Sequence, residues 1–193
     1  MSRSRTRGWR RAAVAALAVF VAGSLVGVGA SSTGVAFADS LNADQLKAAY
    51  LFNFARYVEW PGDAHVSKTS ALRIGVVGSE AVSDLLRKTV KGKSVGSRRL
   101  EVMDFEAASE GRETHILFVA GDLSSGDIDA TLQELGGTST FVVADDESFA
   151  KKGGTANFFM ADQRVRFAIN KAAVKQAGLK VSSKLLRLAE LVD

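Results

Sequence analysis

The sequence predicts a single α/β domain: a mixed, mostly parallel sheet with helices on both faces and a C-terminal β-hairpin plus two helices. Three observations predict it. Short apolar runs alternate with helix-period segments through the middle of the chain, the pattern of strand–helix–strand units built on a parallel sheet. Val165, Phe167 and Ile169 then alternate with Arg164, Arg166 and Ala168 just after another apolar run, which marks a hairpin strand with one wet face. The 155 residues from Asp39 to the end match one domain and are long enough to bury a good core.

Residues 1–38 read as a signal peptide. Arg3, Arg5, Arg7, Arg10 and Arg11 form a positive start, and no charge follows between Ala12 and Ala30. Ala36-Phe37-Ala38 supplies the small-x-small cleavage pattern, making Asp39 the first mature residue. The apolar run would span a bilayer if left uncleaved, but its Gly/Ala content and the position of the site favour cleavage. The residues around Arg10-Arg11 fit a twin-arginine signal poorly, so ordinary secretion is expected. Removing the leader takes five bases and no acid, leaving 20 Lys and Arg against 21 Asp and Glu. The basic balance of the full chain therefore belongs to the leader and is no argument for nucleic-acid binding. The local basic stretch from Arg87 to Arg99 reads as a solvated surface. The chain contains no cysteine, which excludes thiolate chemistry, disulfides and redox switching.

The elements follow in order. Ser40 or Asn42 is placed to cap a first helix whose Leu46, Tyr50, Phe54 and Tyr57 form an apolar stripe, widened by Ala49, Leu51, Phe52 and Val58. The helix must stop near Trp60, because Pro61 disfavours helical geometry in the residue before it. Leu72–Gly78 reads as a buried strand, and Ser79 as the cap of a helix carrying Ala81, Val82, Leu85 and Leu86. Arg99–Phe105 and His115–Val119 read as strands, residues 127–135 as a helix closed by Gly136-Gly137, and Thr140–Ala144 as a central strand. Asn157–Met160 and Val165–Ile169 form the hairpin. Asn170 caps a short helix ending at Gly178, and Ser182 or Ser183 caps a final helix with Leu185, Leu186, Leu188, Ala189 and Val192.

No catalytic constellation assembles from these residues. His65 lies in a polar loop and His115 opens an apolar strand, where a core hydrogen bond is the usual fate of a histidine. Gly75-x-x-Gly78 lacks the rest of any phosphate-binding fingerprint and reads as a close-packed turn. Asp145-Asp146-Glu147 at a strand end could hold a divalent cation, yet an acidic loop is the plainer reading. No catalytic or metal-binding residue and no cofactor is assigned, and the protein is expected not to be an enzyme. The aromatic cluster Tyr50 to Trp60 is mostly core by its spacing. Arg56, Glu59 and Trp60 at its end, with Arg164 and Arg166 on the hairpin, are the candidates for contacting a partner or ligand, since Trp and Arg are common anchors of binding surfaces.

The run Leu46 to Pro61, LKAAYLFNFARYVEWP, resembles the opening signature of YfiR-like exported proteins. The resemblance continues through residues 72–78, 115–118, 149–154, 164–170, 177–179 and 182–189, covering essentially all of residues 39–193 in order. It implies a periplasmic regulator that binds and represses the periplasmic sensory domain of an inner-membrane signalling protein. That partner would be a diguanylate cyclase or a sensor kinase, with effects on cyclic-di-GMP and biofilm. It also implies an outer-membrane lipoprotein as a further partner, and a homodimer. Thr114 stands here where relatives often carry cysteine, so redox-sensitive stability cannot apply. A periplasmic small-ligand sensor using Arg56, Trp60 and Arg166 is the alternative.

Overall fold

The computed structural model describes residues 33–62, 71–121 and 123–192. Of the signal peptide expected over residues 1–38, residues 1–32 lie outside them, as does the loop position of His65. Eight strands form one sheet in the order β10-β8-β7-β6-β5-β2-β4-β3. The parallel centre consists of β2 (Leu72–Val77), β4 (Arg98–Phe105), β5 (Ile116–Val119), β6 (Phe141–Ala144) and β7 (Ala156–Ala161). β3 (Ser94–Val95) runs antiparallel on one edge. On the other edge β8 (Arg164–Asn170) is antiparallel to β7, and β10 (Glu190–Val192) lies parallel to β8. The mixed, mostly parallel sheet is as the sequence predicts.

Each central strand feeds two cores because its side chains alternate across the sheet. Ile74, Ile116, Phe118, Phe141 and Val143 pack on the face covered by α1 (Thr33–Tyr57) and α2 (Glu80–Val90). Leu117, Val119, Val142 and Ala144 pack on the other, with Ile128 and Leu135 of α3 (Ser125–Leu135) and Phe149. Gly75 belongs here for a packing reason. A Cβ on it would stand 2.7 Å from the Phe105 ring and 2.8 Å from Leu117, so the turn is close-packed as expected.

Local signals place most helix ends. Ser79, Ser124 and Asn170 accept hydrogen bonds from Val82, Asp127 and Ala173 backbone N–H groups, capping α2, α3 and α4 (Lys171–Gln176). The ends of the domain depart from expectation. α1 starts at Thr33 rather than after Ser40 or Asn42, since no proline interrupts residues 33–42 and the one glycine there, Gly34, falls in the first turn. It stops at Tyr57 because Val58-Glu59 become β1, paired antiparallel with β9 (Lys180–Val181). Its buried stripe is also turned: Ala48, Leu51, Phe54, Ala55 and Val58 are buried, whereas Leu46, Tyr50 and Tyr57 are half-covered. Small Ala48 and Ala55 let the helix lie close to the sheet. Ala81, expected on the buried face of α2, is exposed. The expected final helix shrinks to α5 (Ser183–Leu186), capped by Ser182, and the chain then straightens into β10.

Candidate partner-binding surface

α1 crosses its face of the sheet antiparallel to the central strands. Near its middle the Lys47 Nζ sits 2.6 Å from Asp145 Oδ2, at the carboxyl end of β6. In its last turn the ring of Phe54 stands 5.3 Å from Phe141 and 5.1 Å from Phe167. Just beyond its end Trp60 Nε1–H donates to the His115 carbonyl at 3.0 Å, at the amino end of β5. The same helix therefore carries one group of predicted residues to the amino ends of the parallel strands. The β7–β8 hairpin carries the other group beyond their carboxyl ends.

Arg56, Glu59 and Trp60 sit together, in different environments. Trp60 is half-buried and turned inward, with its ring edge-on to His115 at 5.3 Å. It pins the C-terminal end of α1 to the sheet. Arg56 is exposed, its guanidinium 5.3 Å from the Tyr57 ring centroid and 5.8 Å from that of Phe52. Lys93 Nζ stands 4.7 Å from that same Phe52 ring, so two cations lie against one aromatic ring. Glu59 is exposed on β1, opposite Lys180. This combination of exposed charge around half-covered aromatics is what an anchor-bearing surface offers a protein partner.

Arg164 and Arg166 lie apart from that group. Both are exposed on β8, and Arg166 Nη2 is 3.7 Å from Asp162 in the hairpin turn. Beside them Met160 is 55% exposed, an apolar side chain at the hairpin tip that the sequence pattern assigned to a strand without exposing it. Arg166 is thus not brought to Arg56 and Trp60, and a pocket built from all three does not form.

The remaining chemical candidates have structural duties. His115 is buried, and its Nδ1 accepts the Arg73 backbone N–H at 3.1 Å while Arg98 Nη2 lies 2.6 Å from Nε2. Asp146 Oδ1 accepts from the Ser148 N–H and hydroxyl at 2.8 and 2.6 Å, and Asp145 is engaged by Lys47. Among the described residues, no group of three or more His, Cys, Asp or Glu is disposed to hold a metal ion. No described helix is long and apolar enough to cross a membrane.

The YfiR/HmsC-like family model matches residues 44–190, from the fourth turn of α1 past the hairpin to β10. This chain belongs to the YfiR/HmsC-like family. The family is one of periplasmic regulators, not of catalysts, and its members act on cyclic-di-GMP signalling. No curated relative matches. Two solved structures are similar at low identity. One is a conserved domain protein from Vibrio cholerae, 13% identical over 63% of this chain and 55% of that one, with a TM-score of 0.45. The other is the "ABC domain" from Streptococcus pneumonia in complex with L-Trp, 11% identical over 78% of this chain and 62% of that one, with a TM-score of 0.47. This YfiR/HmsC-like chain thus spans little more than half the length of either, and likenesses of this size bear on neither fold nor ligand.

Proposed function

We propose that the mature chain, residues 39–193, is a periplasmic regulator that binds and represses the sensory domain of an inner-membrane diguanylate cyclase or sensor kinase. The observation that carries this reading is the family match along residues 44–190. Repression works by differential affinity: the regulator holds the state of its partner that it binds better, and whatever removes it releases the output. An outer-membrane lipoprotein that competes for the regulator would serve as that release, and a homodimer would present two copies of the surface. Arg56 and Glu59 are the contacts we assign to the partner, with Trp60 setting the position of both. Arg164, Arg166 and Met160 form a second exposed face on the hairpin.

The test uses the exported protein as bait for detergent-solubilised membranes of its source. Recovery of an inner-membrane cyclase or kinase with a periplasmic domain is the expected result. A folded preparation that retains no membrane protein overturns the reading.

A further inference from the structure

The stretch Arg87 to Arg99, which looks like a solvated surface in sequence, folds into something more specific. The C-terminal end of α2 and the β3–β4 hairpin flank a shallow, open cleft of about 530 Å³. Arg87, Lys91, Lys93 and Arg99 line it, above Val90, Leu100 and Val102, and no acidic side chain is among its lining residues. Gly92, with φ +71°, turns the chain between the two lysines, and the Lys93 N–H closes the turn on the Val90 carbonyl at 2.9 Å.

Three of the four cations are held in place. Arg87 donates to the Ser83 hydroxyl at 2.7 Å and pairs with Asp104. Arg99 Nη2 lies 3.0 Å from Glu101, and Lys93 rests on the Phe52 ring. Asp84, Asp104 and Glu101 offset the two arginines, so the local excess of positive charge rests on Lys91 and Lys93. The domain from Asp39 onward carries 20 bases against 21 acids, which makes the cleft a local feature, not part of a general basic field.

We infer that this cleft binds an amphiphilic anion, a phosphate or carboxylate carrying a short apolar body. The lysines meet the charge, and the Val90–Leu100–Val102 floor covers the body. Exposed lysines alone would hold a bare anion weakly, because solvent and salt screen them. The apolar floor is what would favour an amphiphile over a bare anion. The positioned cations lower the ordering cost of binding. This site shares Lys93 with the surface around Phe52, but the proposal does not rest on the partner reading. The anion could be free in solution or the headgroup of a membrane lipid.

The test titrates the exported protein, labelled with ¹⁵N, with monomeric dihexanoyl phosphatidic acid, inorganic phosphate, poly-glutamate, and vesicles of phosphatidylglycerol in phosphatidylcholine. Dihexanoyl phosphatidic acid should shift the amides of residues 91–94 saturably and bind at least tenfold more tightly than inorganic phosphate. K91E/K93E should weaken it at least tenfold, and K91Q/K93Q less, with the thermal midpoint unchanged in both. Vesicle binding that the double charge reversal abolishes identifies the lipid headgroup as the source. Binding of the monomer without the vesicles identifies a free amphiphile. The proposal fails if no saturable shift appears, if the response survives K91E/K93E, or if phosphate binds as well as the amphiphile. A response to poly-glutamate alone also overturns it, in favour of an acidic protein segment.

Discussion

The indole of Trp60 and the guanidinium of Arg56 are four residues apart, yet they do opposite things, and the difference sets distinct expectations. Trp60→Phe keeps a ring but removes one of the two donors to the His115 carbonyl, the Phe141 N–H remaining at 2.8 Å, and should cost at most about 1 kcal/mol of stability in urea unfolding. Arg56→Glu removes a charge stacked on exposed aromatic edges and should leave stability within about 0.5 kcal/mol. If the partner surface is correctly assigned, it should weaken retention of the membrane partner at least tenfold, about 1.4 kcal/mol. Gly154→Ala should be severe: a Cβ there would stand 2.0 Å from the Phe149 ring, and overpacking of this kind costs roughly 1–3 kcal/mol or more. Asp104 gives a pH signature. The Ser83 hydroxyl holds its carboxyl below the ordinary value against the opposing effect of burial, and the Arg87 guanidinium adds to the lowering. A depressed folded pKa means the stabilisation is present above the unfolded value and lost as pH falls through the folded one. The stability gap between wild type and Asp104→Asn should therefore be open at pH 7 and close below about pH 4, read as thermal midpoints across that range. None of the Trp60 and Asp104 roles was legible in sequence, because their partners are a carbonyl 55 residues away and a serine on another element.

At the scale of elements, what local rules govern was readable and what pairing governs was not. The Ser79 and Asn170 caps and the β2, β5 and β6 strands lie where caps and apolar runs put them. The C-terminal end misleads for a physical reason. Leu185, Leu186, Ala189 and Val192 keep helical spacing, but only Ser183–Leu186 closes a turn, and Glu190–Val192 are drawn into parallel pairing with Ala168–Asn170. Leu188 is left 71% exposed. Tertiary pairing overrides propensity most easily in such short segments. The β7–β8 turn yields a prediction of the opposite sign to those above. Asp162 and Gln163 adopt φ of +50° and +59°, and glutamine tolerates that region poorly. Gln163→Gly converts the pair into a preferred two-residue hairpin turn and should stabilise by roughly 0.5–1 kcal/mol, less the added entropy of the unfolded chain. A thermal midpoint that falls would show the turn is held by something other than its backbone geometry.

At the scale of the whole molecule, the family and the architecture were legible because they are spread over many positions, while the functional surface was not. The apolar runs and the residues from Leu46 to Pro61 carry the fold, and the family match confirms the membership they imply. The grouping of Arg56 with Phe52 and Lys93, and the gathering of Arg87, Lys91, Lys93 and Arg99 around one cleft, depend on how α1, α2 and β3 meet. Charge spacing along the chain does not encode that. α1 has a consequence for how such a protein reaches its compartment. The helix near the start of the chain is covered by Phe141, Phe158 and Phe167, and its last carbonyl, on Tyr57, is claimed by the N–H of Ser182. A chain threaded out of the cell N-terminus first would deliver that helix long before any of its covers. It could not complete its packing until almost the last residue had crossed. In the exported chain proposed above, contacts this distant would make folding slow to begin before passage and able to finish only after it. The long-range clasp would then keep the polypeptide threadable until passage is over.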